Sequence, residues 1–142
     1  MQTRNVDKLL FVGLAAGALA LAACGGGDDD SGGGGEPATS VSIEAEDFAY
    51  GPDSWTIVAD AEVTVTVDNV GLNEHDWVVL KAGTDISDET EFSQDLVETE
   101  LKGVQSGESD STTINLPAGD YQVICAIAGH FDAGMEGTLT AE

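Results

Sequence analysis

Three side chains with metal-binding chemistry stand at even intervals in the run Cys125-Ala126-Ile127-Ala128-Gly129-His130-Phe131-Asp132-Ala133-Gly134-Met135. A thiolate and a thioether favour Cu(I), and an imidazole suits both Cu(I) and Cu(II). A donor set of this mixture suits one copper ion that changes oxidation state. Zinc more often takes four Cys or His ligands. The single Cys on this run also excludes a dinuclear centre bridged by two thiolates. A fourth donor must come from elsewhere, and the chain has only one other His, His75. The candidate ligands of a mononuclear copper are therefore His75, Cys125, His130 and Met135.

The elements that must position these residues read as strands. Val63, Val65 and Val67 alternate with polar residues, the cleanest period-two run in the chain. Val41, Ile43 and Ala45 alternate in the same way, as do Thr112, Ile114 and Leu116. Trp55, Ile57 and Ala59 follow a turn at Gly51-Pro52-Asp53. His75-Asp76-Trp77-Val78-Val79-Leu80 forms a further strand after the turn Gly71-Leu72-Asn73. The segment from Tyr121 to Cys125 runs into the ligand loop, and the one from Gly137 to Ala141 runs out of it. Seven or so short strands with this punctuation predict an all-β fold, a Greek-key β-sandwich. On extended backbone, His75, Trp77 and Val79 share one face, and so do Tyr121, Val123 and Cys125. If both faces point inward at one end of the sandwich, His75 meets Cys125 at a buried site. One insertion departs from the pattern. In residues 88–102, Phe92, Leu96, Val97 and Leu101 stand near helical spacing, Asp88 can cap, Glu91 follows three residues later, and Gly103 can act as a stop. A short helix is expected there, with an acidic outer face that is solvated surface.

The first residues read as a targeting signal. Arg4 and Lys8 precede an apolar run too short to favour a membrane span, ending Leu21-Ala22-Ala23-Cys24. This ending resembles a bacterial lipobox, which makes residues 1–23 a lipoprotein signal peptide and Cys24 the lipid attachment point. Residues 24–38 then form a flexible Gly/Asp-rich tether, and residues 39–142 the copper domain. The expected location is outside the cytoplasm, lipid-anchored to the outer face of the bacterial cytoplasmic membrane. Export permits disulfides, but Cys24 belongs to the processing site and Cys125 to the ligand set, so no pair remains. The formal net charge is −23. Cleavage before Cys24 would leave two of the four cations and 26 of the 27 acids, a net charge of −24. Such a chain repels nucleic acid, stays soluble, and attracts partners with basic faces.

The ligand motifs, with Asn73-Glu74-His75-Asp76-Trp77-Val78-Val79 and Gly119-Asp120-Tyr121-Gln122-Val123-Ile124-Cys125, resemble the blue-copper (cupredoxin) family over roughly residues 41–141. The auracyanins are the nearer likeness, azurins and plastocyanins the more distant. The resemblance implies a type 1 copper on His75, Cys125, His130 and Met135. It also implies one-electron carriage between redox proteins, with His130 as the partly exposed port. Asn73, Asp76 and Phe131 would surround the ligands. Two positions depart from the family pattern: Asp76 stands where Asn is usual after the first His, and Ala128 where Pro is frequent. Asp76 can still accept hydrogen bonds that tie the ligand loops together, and its charge would favour Cu(II).

An electron carrier is the favoured function. A four-ligand site leaves no open position for a small-molecule substrate, and no spare His remains for the second copper of an enzyme such as a nitrite reductase. The alternative, a copper-delivery or storage lipoprotein, would more often carry Met- or His-rich tracts, and this chain has two Met. The expected partners are a cytochrome c-type domain or a membrane oxidoreductase with a basic docking face. They would meet an apolar patch of Ile127, Ala128, Phe131 and Ala133 around His130, with Glu74, Asp76, Asp132 and Glu136 steering them in.

Overall fold

A computed structural model describes residues 36–142. The expected signal peptide, the expected lipid attachment point Cys24 and the expected tether up to residue 35 lie outside the described residues. Nine strands follow in order: β1 (Ser40–Glu46), β2 (Ala49–Gly51), β3 (Ser54–Ile57), β4 (Val63–Asn69), β5 (His75–Leu80), β6 (Val97–Val104), β7 (Ser109–Ile114), β8 (Gly119–Ile124) and β9 (Glu136–Ala141). They form two mixed sheets, β2-β1-β4-β7 and β3-β9-β8-β5-β6, stacked as a sandwich. The pairs β1–β4 and β3–β9 are parallel; the other pairs are antiparallel.

Alternation decides which side chains enter the sandwich. Ile43 and Ala45 of β1 and Val63, Val65 and Val67 of β4 are buried from one sheet. Trp77 and Val79 of β5, Tyr121 and Val123 of β8, and Leu139 of β9 meet them from the other. Burying each of the valine, isoleucine and leucine side chains among them contributes roughly 1.5–3 kcal/mol. His75 and Cys125 lie on the same inward faces, at one end of this core.

Strand β5 is buried on both faces. Its outward residues Val78 and Leu80 join Ile124 of β8 in a second, smaller core, closed by Ile86, Phe92, Leu96, Val97 and Phe131. The insertion after β5 exists to cover this face. It does so without the expected helix. Asp88 does cap, accepting from the Thr90 N–H at 2.8 Å, but the turn it starts is a 3-10 turn, Glu89–Glu91, followed by a second at Gln94–Leu96. From Val97 the chain is a strand, because β5 needs a partner on that side. Leu80 pairs with Val97, Val79 with Thr99 and Trp77 with Leu101. Tertiary pairing outweighs the helical spacing. Gly103 is not a helix stop; it sits at φ +75° in an irregularity of β6 opposite Asp76. Among the described residues no helix is long and apolar enough to cross a membrane.

Candidate metal centre

Antiparallel pairing of Val78 with Ile124 and Val79 with Val123 sets the start of β5 beside the end of β8. His75 opens β5, and Cys125 follows β8 directly. The return path to β9 is a compact loop closed by its own backbone. The Cys125 N–H donates to the Met135 carbonyl (3.1 Å), Met135 N–H to His130 (3.0 Å), and His130 N–H to Ile127 (3.0 Å). Gly129 (φ +81°) and Gly134 (φ +105°) take the left-handed backbone that these reversals need. The 3-10 turn of the insertion braces the loop from outside: Gly129 N–H donates to the Glu89 carboxylate (2.6 Å), and Glu89 N–H to that of Asp132 (3.1 Å).

One donor atom each from His75, Cys125 and His130 lies within 4.8 Å of the others. Cys125 Sγ and His130 Nδ1 are 3.3 Å apart, and the two imidazole centroids 5.1 Å. His75 is 0% exposed; its Nε2 faces Asp47 Oδ1 at 3.1 Å, while its Nδ1 has no partner. A buried polar atom left unpaired costs about 1–3 kcal/mol, and here the unpaired nitrogen belongs to the imidazole that stands beside a thiol and a second imidazole. The Asp76 N–H donates to Cys125 Sγ at 3.4 Å. Burial pushes the Cys125 thiol above its usual range, against the backbone N–H groups of Asp76 and Ile127. Burial, with the neighbouring His75, pushes His130 down. A metal entering here meets a neutral His130 and must displace the thiol proton. Met135 is fully buried in the same apolar cluster as Cys125.

Residues 37–142 match the family described as copper binding proteins, plastocyanin/azurin family. The chain belongs to this family. One copper ion is its cofactor, and His75, Cys125 and His130 are arranged to receive it. Auracyanin-B of Chloroflexus aurantiacus is 30% identical over 125 residues, 73% of this chain and 52% of that protein, so the chain spans about half the length of this relative. A solved auracyanin B structure is 26% identical, with a TM-score of 0.64 over 80% of this chain and 95% of that one. A dithionite-reduced auracyanin from Roseiflexus castenholzii also has a TM-score of 0.64, over 75% and 98% of the two chains, at 22% identity. Rusticyanin from Thiobacillus ferrooxidans shares the fold at a TM-score of 0.58 and 17% identity, over 74% and 79%.

The residues expected around the ligands fall differently. Asp76 is buried, but its carboxylate accepts from the Gly103 N–H on β6 (2.9 Å) and does not tie the ligand loops together. Its backbone reaches the thiol instead. Asn73 bonds to Asp47 and Asn69: its N–H donates to Asp47 (3.1 Å), and its carbonyl accepts from Asn69 (2.7 Å). Phe131 is 8% exposed and packs into the second core, so it is not part of a docking patch. Among the described residues the exposed large apolar ones are Phe48, Val70 and Leu72, none of them singled out from sequence. Phe48 stands edge-on to His130, with centroids 4.9 Å apart. Leu72 is 86% exposed on the loop before β5, whose backbone hangs from Asp47 and Ala45. The insertion's acidic face is likewise more than solvated surface, since Glu89 holds the ligand loop.

Proposed function

We propose that the chain is a one-electron carrier with a type 1 copper that His75, Cys125 and His130 would hold, with Met135 as a further, weak thioether donor. Bound there, copper would alternate between Cu(I) and Cu(II) with the uptake and release of one electron. The observation that carries the reading is the buried, pre-assembled trio of His75, Cys125 and His130, with the Nδ1 of His75 left unpartnered.

The protein's part is to keep the donors still. His75 stands on a strand buried on both faces, and the Cys125–Met135 loop is locked by its own hydrogen bonds and by Glu89. Trp77, Val123 and Leu139 keep the surroundings dry. Donors that need not rearrange lower the barrier to electron transfer. Electrons would pass at the His130 edge, where the exposed Phe48 ring and Ala128, with exposed Val70 and Leu72 on the loop that leads into His75, would offer an apolar contact small enough for a brief encounter. The acidic chain would steer basic redox partners toward it, such as a cytochrome c-type domain or a membrane oxidoreductase. Lipid on Cys24 would hold the carrier at the outer face of the bacterial cytoplasmic membrane.

Copper loading of the domain should give an intense visible thiolate-to-copper band that bleaches reversibly with reductant. Cys125→Ser should abolish the band; an unchanged spectrum in that variant refutes the site. Mass spectrometry of the native N-terminus tests the anchor, and an unlipidated terminus beyond residue 24 would exclude it.

A further inference from the structure

The turn between β1 and β2 touches both histidines. Phe48 meets the ring of His130, and Asp47, one residue earlier, meets Nε2 of His75. The Asp47 carboxylate does three things at once. It accepts the N–H of Leu72 (3.0 Å), the N–H of Asn73 (3.1 Å) and the imidazole of His75 (3.1 Å). The space is built closely around it. A Cβ on Gly71 would lie 2.6 Å from Asp47 Oδ1 and 2.9 Å from His75 Nε2, so only glycine lets the loop pass. Asn69, itself buried, closes the same loop by accepting from Gly71 N–H (2.9 Å) and donating to the carbonyl of Asn73.

An imidazole whose Nε2 donates to a carboxylate holds its proton there and presents the Nδ1 lone pair. The unpartnered nitrogen of His75 is Nδ1. We infer that Asp47 is the positioning residue of the metal centre: it fixes the tautomer and angle of His75, and its charge, one imidazole from the metal, favours Cu(II) over Cu(I). The inference rests on the copper reading above. It also makes the loop bearing exposed Val70 and Leu72 part of the same hydrogen-bonded unit as a ligand. Carboxylates in this role are worth about 10–100-fold in metal affinity.

The first test uses metal-free protein. Nitrogen-15 NMR of the imidazoles should show His75 wholly as the Nε2–H tautomer in the wild type, and as a mixture in Asp47→Ala. An Nδ1–H tautomer in the wild type overturns the inference. The second uses copper. Asp47→Asn keeps an acceptor for Leu72 and Asn73 and removes the charge, so Cu(II) affinity should fall about tenfold more than Cu(I) affinity. That difference raises the reduction potential by about 59 mV. Asp47→Ala should lose about 10–100-fold in Cu(II) affinity. A lower melting temperature with tautomer, affinity and potential unchanged would make Asp47 merely structural and overturn the proposal. The wild-type visible band separates the two failures. If it is absent, the copper reading falls and the tautomer still judges Asp47; if it is present while the Asp47 variants are silent, this inference alone falls.

Discussion

The two histidines of the site are held in opposite ways. His75 sits on a strand buried on both faces, 0% exposed, its outer nitrogen held by a carboxylate 28 positions away in the chain. His130 sits on a turn beside Cys125, 8% exposed, with the exposed ring of Phe48 edge-on to it. One is fixed by long-range structure and sealed; the other is fixed by local backbone and lies near the surface. The proposed carrier would need both: the sealed side to resist rearrangement, and the near-surface side to let an electron out.

Cutting each imidazole away should make this contrast largest. In His130→Gly, added imidazole should enter from the surface and restore the visible band. In His75→Gly it should not, because Asp47, the 70–73 loop and the inter-sheet core close that position. Equal rescue of both, read by titrating imidazole into the copper-loaded variants, would erase the distinction. The next effect tests the exit side. Steering by charge is worth about 10–10³ in association rate at low salt, and the Debye length shrinks to about 3 Å at 1 M. Stopped-flow electron transfer to a basic cytochrome should therefore slow steeply with salt, and Leu72→Glu should slow it at every salt concentration with the spectrum intact. A rate flat or rising with salt would put the partner elsewhere or make it acidic.

A third prediction concerns loading. The raised Cys125 thiol must lose its proton when copper binds, while His130 is held neutral by its lowered pKa. Copper affinity should rise about tenfold per pH unit below the thiol pKa, for one proton released. Competition titrations between pH 6 and 8 measure it; a flat profile would mean that the thiolate is already formed in the metal-free protein.

The smallest effect separates the two acids on the His75 side. Burial raises the Asp76 carboxyl, against the hydrogen bond from Gly103. Its folded pKa lies above the unfolded one, so its contribution is most favourable at low pH and is lost as pH rises through the folded value. Asp76→Asn keeps an acceptor for Gly103 and does not titrate. It should therefore gain stability over the wild type at pH 7, and the gain should close toward about pH 3.5. Urea melts of the metal-free proteins decide it, and a gain that is constant with pH would rule out the charge. Its reduction potential should also rise, since a negative charge beside the thiolate is removed.

What could be seen in the sequence follows the same division. Cys125, His130 and Met135 lie within one loop, so their spacing alone displays them, and the valine alternation of β4 displays the sandwich. His75 was reachable by elimination. Asp47 was not: one acid among 27 gives no sign that its carboxylate meets a histidine 28 residues on. Phe131 and Phe48 were exchanged in role for a related reason. Both are phenylalanines in turns, and only the second core on the far face of β5 decides that Phe131 is covered while Phe48 is exposed. The helix expected over residues 88–102 failed where its later half met an unpaired edge of β5. Spacing reports a local preference and cannot report a vacant strand position.

The direction of β1 has a mechanical consequence. Glu46 lies at the metal end of the sandwich and Ser40 at the other, about 20 Å away for seven extended residues. Ala141, the last residue of β9, is at the same far pole, since β9 leaves the metal end at Glu136. If the domain is anchored through Cys24, as proposed, it would be held by this pole, with its metal end pointing away from the anchor. A partner projecting above the membrane would then meet that end head-on, and a partner flush with the same membrane would require the domain to tip over.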